Sequence, residues 1–186
     1  MVRRRDVLLH VADDESRSST HWKIKTASVY NLIMKKPTIW IDADACPKSI
    51  KELIYRTSQR LQLPVILVAN SQMQIPRHPL VSLVKVSAGD DIADQYIADH
   101  CELTDVIVTQ DIPLAALIIK KGACAINSRG ELYTEDNIDE RLSTRDFMKE
   151  LRDAGIVTTG PAPFNAKNVE QFANSLNKIL TKLLKC

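Results

Sequence analysis

Residues 38–47, TIWIDADACP, constrain the fold of this chain more than any other segment. The first four are β-branched or aromatic, a composition typical of a buried strand, and the run is too short for a helix. Asp42 and Asp44 follow at once, and alternate residues of an extended chain point the same way, so both carboxylates are expected on one face. Pro47 suits the first turn of a helix. A buried strand, two acids and a helix in succession are typical of active sites in open α/β folds.

The rest of the chain continues this α/β pattern. Further strands are predicted at residues 64–69, 81–86, 105–109 and 123–126, and helices at 47–61, 90–100, 113–121, 138–142, 145–154 and 166–184. The strands are continuously apolar rather than alternating, which indicates a parallel sheet covered on both faces. The sequence therefore predicts a three-layer α/β/α fold with a central, mostly parallel sheet of about five strands. Asp90 is interpreted as the cap of the helix that it opens.

Charge is unevenly distributed along the chain. Residues 1–36 carry eight Lys and Arg against four Asp and Glu, whereas residues 37–186 carry 17 against 19. Composition alone therefore does not make the second segment a basic nucleic-acid binder. Residues 1–36 show no steady periodicity, and we interpret them as a disordered or non-native extension, with Met34 as the natural start. Residues 37–186 are expected to form a single domain.

The cysteines and apolar runs indicate the compartment. The four cysteines lie far apart with no C-x-x-C pair, which favours a reduced chain in the cytoplasm over a zinc site or disulfide framework. No apolar run approaches the length of a membrane span, so no membrane association is expected.

Acidic residues follow the predicted strands in a repeated way. Asp42 and Asp44 follow the first strand, Asp91 and Asp94 lie at the start of the helix after the third, and Asp111 follows the fourth. Strand ends of a doubly wound sheet meet at one crevice, so these carboxylates are expected to converge there. They would repel one another unless a cation offset their charge. Mg²⁺ or Mn²⁺ suits such oxygen ligands and would activate water for attack on a phosphoryl group.

We accordingly predict that Asp42, Asp44 and Asp111 are catalytic and that all five acids are metal ligands. Lys48 and Arg129 are candidates for binding a substrate phosphate, with a solvated surface charge as the simpler interpretation. Cys46 lies where a helix N-terminus would stabilise a thiolate, but a small packed side chain before the proline is the simpler interpretation.

Several motifs resemble one known family. The segments TIWIDADACP, GDDIAD, VTQDIPLA, RGELYTEDNI and GPAPF, in this order, closely resemble the YaiI/YqxD family of uncharacterised bacterial proteins over roughly residues 37–184. That family is grouped with PIN-like domains, many of which are Mg²⁺- or Mn²⁺-dependent ribonucleases. The resemblance implies a PIN-like fold and RNA rather than DNA as substrate. It also implies metal-binding roles for Asp42, for Asp91 or Asp94, and for Asp111.

Two alternatives remain open at this point. A strand followed by Asp-x-Asp also resembles haloacid dehalogenase-like phosphatases, in which Asp42 would be the nucleophile and the second acid a general acid. Ser71 and the pattern at residues 89–94 extend that likeness. Against it, Lys85 lies too close to Gly89 for the usual lysine-bearing helix, and Asp111 is left without a role. The third interpretation is a non-catalytic module whose acidic cleft binds a metal or a basic partner.

Overall fold

A computed structural model describes residues 36–89, 91–156, 160 and 162–185. The predicted extension at residues 1–36 lies outside them except for Lys36, and so does Asp90. In chain order the elements are β1 (Ile39–Asp42), α1 (Lys48–Leu61), β2 (Val65–Ala69), β3 (Val81–Lys85), α2 (Ile92–His100), β4 (Val106–Val108), α3 (Ile112–Lys120), β5 (Cys124–Ile126), β6 (Leu132–Tyr133), α4 (Glu135–Asp153) and α5 (Ala166–Leu183).

The described strands form one sheet in the order β3-β2-β1-β4-β5-β6. Strands β1 to β5 pair in parallel and β6 pairs antiparallel with β5. At the centre of the sheet Ile39 is in register with Val65 of β2 and with Val106 of β4. The chain moves outward from β1 to β3 and then crosses back to β4. The strand order therefore reverses between β1 and β4, where open α/β sheets bind ligands.

Helices cover both faces of the sheet, which confirms the three-layer prediction. Ile39 and Ile41 of β1 pack into an apolar cluster with α1 and α5, whereas Trp40 packs into a second cluster with α2, α3 and α4. Because alternate residues of β1 enter different clusters, the strand must be apolar on both sides. In the described part of the chain no helix is long and apolar enough to cross a membrane.

Strand β6 was not predicted from the sequence. The sequence predicts no helix or strand between residues 126 and 138, yet the chain there folds back as a hairpin onto β5. The Asn127 side-chain oxygen accepts hydrogen bonds from the backbone N–H groups of Arg129 and Glu131, at 2.9 and 3.0 Å. Gly130 has a φ of 87°, which few other residues adopt. A two-residue strand is too short to show a periodicity.

Helix α4 is one element where two short helices were predicted. The sequence predicts helices at 138–142 and 145–154, with a gap at Ser143 and Thr144. The helix is instead continuous through both residues, and the Ser143 hydroxyl donates to the Asp139 carbonyl one turn earlier, at 2.9 Å. A capping box of Thr134 and Asn137 starts the helix.

The starts of two other helices can be compared with the predictions. The N-cap of α2 is Asp91 rather than the predicted Asp90, with a left-handed φ of 59° and no side-chain capping bond. At α5 the Asn165 side chain accepts from the Asn168 N–H at 3.2 Å, as expected of a cap. The helix predicted at 166–184 is present and amphipathic, because Phe172, Leu176, Ile179 and Leu180 form a buried apolar stripe along it.

A buried acid at the opposite end of the sheet has a structural role. Asp105, 2% exposed, precedes β4. Its carboxylate accepts hydrogen bonds from the backbone N–H groups of Thr38 and Glu102 and from the Trp40 indole, each at 2.9 Å. These three N–H donors offset the cost of burying the charge and join β1 to β4.

Candidate active site

A cleft of about 350 Å³ lies at the carboxyl ends of β1 and β4, at the reversal of the strand order. We call it the acidic cleft. Its lining consists of Asp42, Asp44, Asp91, Asp94 and Asp111 together with Ala45, Asn70, Gly89, Ala93 and Gln110. All five acids singled out in the sequence therefore line one cavity, and their catalytic and metal-binding roles stay predictions.

Thr109 joins the two strand ends that form the floor of the acidic cleft. Its hydroxyl donates to Oδ2 of Asp42 at 3.0 Å. The Thr109 hydroxyl oxygen in turn accepts a hydrogen bond from the backbone N–H of Asp111 at 2.9 Å. Thr109 is buried, so this link is shielded from water. The hydrogen bond fixes one carboxylate oxygen of Asp42 relative to β4.

Asp111 combines a structural role with its place in the cleft. Its Oδ1 accepts a hydrogen bond from the backbone N–H of Leu114 at 2.7 Å, which caps α3. An acid after a strand is often simply a helix cap, and Asp111 is one. It also lines the acidic cleft, and its charge acts on both Asp42 and Asp94.

Asp44 reaches the acidic cleft from a turn rather than from β1. The strand ends at Asp42, and Asp44 is exposed in the following turn. Its Oδ2 accepts from the Asn70 backbone N–H at 2.8 Å, and its Oδ1 lies 3.5 Å from the Ser71 hydroxyl. These contacts hold the turn after β1 against the loop after β2.

The acids of the cleft destabilise one another's charged forms. Burial raises the pKa of Asp94 to about 6, with further increases from the charges of Asp111, Asp42 and Asp91. Burial also raises the pKa of Asp42; the hydrogen bond from Thr109 lowers it, and the charges of Asp111 and Asp44 raise it. A cation placed among these groups would relieve the repulsion and favour their ionised forms.

The donor set fits a hard cation that keeps part of its hydration. Among the described residues, no three His, Cys, Asp or Glu side chains converge as a preformed metal cage. Mg²⁺ commonly binds one or two carboxylates, several waters and substrate phosphates rather than a complete protein cage. Asp42 and Asp111, linked through Thr109, are the pair that would hold such an ion. A zinc site would call for the nitrogen and sulfur ligands that this lining lacks.

The two predicted phosphate-binding residues lie elsewhere. Lys48 is exposed, with its ammonium 3.9 Å from Glu52, and does not line the cleft. Arg129 donates to the side chain of Asn168 at 3.2 Å and lies over the Phe164 ring, 5.9 Å from its centroid. It therefore anchors the start of α5, and the structure brings neither residue to the acids.

Cys46 is a packed thiol. Burial raises its pKa to about 12; the Lys51 charge lowers the value and the Asp42 charge raises it. The thiol is therefore neutral at physiological pH despite its place before a helix, which agrees with the simpler sequence interpretation.

Sequence reasoning missed Thr109, Gln110 and Asn70. One local signal was available for Thr109. The hydroxyl of a Ser or Thr often accepts a hydrogen bond from the backbone N–H two residues later, and here that N–H belongs to Asp111. No local signal marks Asn70, which contributes a backbone N–H. Gln110 donates to the Ser128 hydroxyl, a partner 18 residues away that only the folded chain reveals.

Comparison with known proteins places the chain in a family. The family described as "Uncharacterized BCR, YaiI/YqxD family" matches residues 40–182. The chain belongs to the YaiI/YqxD family. It is 54% identical to a UPF0178 protein of Shewanella baltica (strain OS223) over 145 residues, 78% of this chain and 97% of that relative. It is 52% identical to a UPF0178 protein of Trichlorobacter lovleyi over 148 residues, 80% of this chain and 96% of that relative.

The YaiI/YqxD match extends from β1 to α5, so it contains the whole acidic cleft and, apart from Ile39, the buried residues of both apolar clusters. A UPF0178 protein of Syntrophobacter fumaroxidans is likewise 52% identical over 147 residues, 79% of this chain and 96% of the relative. No solved structure matches the chain. The resemblance to the YaiI/YqxD family is therefore confirmed, while the PIN-like grouping stays a prediction.

Proposed function

We propose that this protein is a metal-dependent phosphodiesterase that cleaves RNA in the acidic cleft. The observation that carries the proposal is the set of five carboxylates around one cavity, with the pKa of Asp94 raised to about 6 by burial and by its acidic neighbours. Such a cavity repels an anionic phosphate unless a cation is bound. A divalent cation would therefore bind both the acids and the substrate.

Each residue of the acidic cleft would have a separate role in the reaction. Asp42 and Asp111 would hold Mg²⁺ or Mn²⁺, which when bound polarises a phosphoryl oxygen and acidifies a water. Thr109 fixes the Asp42 oxygen to which it donates. Asp94 lines the same cavity and would accept the proton of the attacking water. The water oxygen bonds to phosphorus as the bond to the leaving ribose oxygen breaks.

The test is cleavage of a panel of single-stranded and structured RNAs with Mn²⁺ or Mg²⁺. We expect Asp42→Asn and Asp111→Asn each to abolish cleavage. Asparagine also caps helices, so Asp111→Asn keeps the bond to Leu114 and the fold. Asp99→Asn is the matched control, because Asp99 is exposed on the same helix as Asp94 and does not line the cleft. Cleavage that survives in both cleft variants would refute the proposal.

The phosphatase alternative assigns Asp42 a different role. As a nucleophile Asp42 would pass through an aspartyl-phosphate, which beryllium fluoride mimics, whereas a metal ligand forms no bond to phosphorus. The presence of Asp111 in the same cavity supports the nuclease, because the phosphatase mechanism leaves it unused. Recovery of a peptide phosphorylated at Asp42 from quenched enzyme would favour the phosphatase. A protein that binds Mn²⁺ but turns over neither substrate class would instead be a binding module.

A further inference from the structure

Every basic residue of α4 lies on one side of that helix. At 100° per residue, Arg141, Arg145, Lys149 and Arg152 fall within an arc of about 80°. The seven acids of α4 all lie outside this arc. We call these four residues the basic arc. Residues 37–186 are slightly acidic as a whole, so the segregation groups basic side chains in a way that the composition does not reveal. Within the arc, Arg141 pairs with Glu131 at 3.1 Å and Arg145 pairs with Asp146 at 2.7 Å.

Most of the basic arc is open to solvent. The first half of α4 packs Ile138 and Leu142 against the core, but no residue from 143 to 153 is buried. Lys149 and Arg152 are exposed, and the Arg145 side chain is 39% exposed. A groove of about 340 Å³ borders one edge of the basic arc, with Arg141, Arg145, Glu140 and Met148 in its lining. Lys149 and Arg152 do not line it. The second half of α4 thus has a charged face and no fully buried residue.

The groove adjoins the acidic cleft. Ile112 lines the groove and directly follows Asp111, which lines the cleft. The Arg141 guanidinium lies over the Tyr133 ring, 5.4 Å from its centroid. Burial raises the pKa of Tyr133, the charge of Arg141 lowers it and that of Asp111 raises it, so both charges act on one ring. One extended ligand can therefore reach the acidic cleft and the basic arc together.

We propose that the basic arc binds the backbone of single-stranded RNA on one side of the phosphate that is cleaved in the acidic cleft. This deepens the proposed function and rests on it for the identity of the ligand. Basic residues at i and i+4 lie about 6 Å apart along a helix, a spacing that suits successive phosphates of an extended strand. Arginine forks also match phosphate geometry. The acidic cleft needs a cation to accept a phosphate, but the basic arc does not.

The test is binding without metal, so that no cleavage takes place. The fluorescence anisotropy of a labelled single-stranded 12-nucleotide RNA is measured in EDTA over a range of salt concentrations. We expect the triple variant Arg145→Gln, Lys149→Gln and Arg152→Gln to bind at least tenfold more weakly at low salt. The salt slope should also fall by about 2, because each lost phosphate contact on a single strand removes about 0.7. Arg141 is left intact because it packs on Tyr133.

The matched control removes three charges from the opposite layer of the fold. The triple variant Arg56→Gln, Arg60→Gln and Lys178→Gln changes exposed residues of α1 and α5. It should keep nearly wild-type affinity. Equal losses in the two triple variants, or no binding of RNA by the wild type, would overturn the proposal.

Competitors identify the ligand class. Single-stranded RNA should displace the probe better than duplex RNA or polyglutamate of equal charge, and the reverse order would overturn the proposal. The outcome is separable from that of the cleavage assay. If the wild-type protein binds RNA through the basic arc but does not cleave it, the proposed nuclease function is refuted and a surface that binds single-stranded RNA remains. Cleavage with no contribution of the basic arc refutes only this inference.

Discussion

The Thr109 hydroxyl donates a hydrogen bond to Oδ2 of Asp42 at 3.0 Å, between residues 67 positions apart in the sequence. The same hydroxyl accepts from the Asp111 N–H at 2.9 Å. One buried side chain thus connects the acid that ends β1 to the acid that follows β4. Because the bond favours the ionised carboxylate, it opposes the burial and charge repulsion that raise the pKa of Asp42.

We expect Thr109→Val to weaken both folding and metal binding. Valine leaves the Asp111 N–H without its partner, which should cost about 1–3 kcal/mol in the free energy of unfolding. The pKa of Asp42 should rise further, so Mn²⁺ should bind only at higher pH, since the ligand must be deprotonated. Urea unfolding and Mn²⁺ titrations across pH measure the two effects. Thr109→Ser keeps the hydroxyl and should resemble the wild type; identical behaviour of the two variants would contradict this role.

Asp94 should make the metal-free protein less stable as pH rises. The pKa of Asp94 is about 6 in the folded state, against an ordinary value of 3.8 that applies to the unfolded chain. At pH values between the two, the folded state therefore binds more protons than the unfolded state. Stability from this group is therefore lost as pH rises from about 4 to 6. Asp94→Asn should raise the free energy of unfolding by about 1 kcal/mol at pH 7, after allowing for solvent screening of a partly exposed group. It should add little at pH 4. Thermal melts in EDTA measure the difference, and an equal effect at both pH values would contradict it.

Divalent cations should stabilise the folded protein through Asp42 and Asp111. A ligand that binds only the folded state adds about 2.7 kcal/mol at 100 times its Kd. The double variant Asp42→Asn, Asp111→Asn should abolish the increase in Tm caused by Mn²⁺. It should also melt higher than the wild type in EDTA, because the repulsion is relieved. Asp99→Asn should keep the full Mn²⁺ response, and a full response in the double variant would remove these two acids from the site.

Gly130 is expected to be intolerant of a side chain. A Cβ there would lie 2.6 Å from backbone atoms of Gln171 and Phe172 in α5, at a φ of 87°. Gly130→Ala should therefore cost about 3 kcal/mol or more, from strain and overpacking combined. Gly155→Ala is the matched control, because its φ of 75° is similar but no atom lies within 4 Å. Urea unfolding should show a clearly smaller loss for it, and equal losses would mean that the contact with α5 is unimportant.

The acids of the site could be predicted because their signal is local. Asp42, Asp44 and Asp111 follow continuous apolar runs, and any parallel sheet brings the ends of such runs to one edge. The strands, the Asn165 cap and the stripe of α5 are likewise encoded by residues within a few positions of one another. The sequence by itself therefore determined the layers of the fold and the acids of the cleft.

Tertiary structure alone decided which partners those residues meet. Arg129 is a residue type that often binds phosphate, yet its side chain is held to α5 by Asn168, which lies 39 residues away in the sequence. Strand β6 forms because β5 offers it an edge, and Thr109 reaches Asp42 because the strand order places β4 beside β1. Such contacts depend on how the crossovers run between distant strands. Local propensity does not encode them, since it reports only neighbours along the chain.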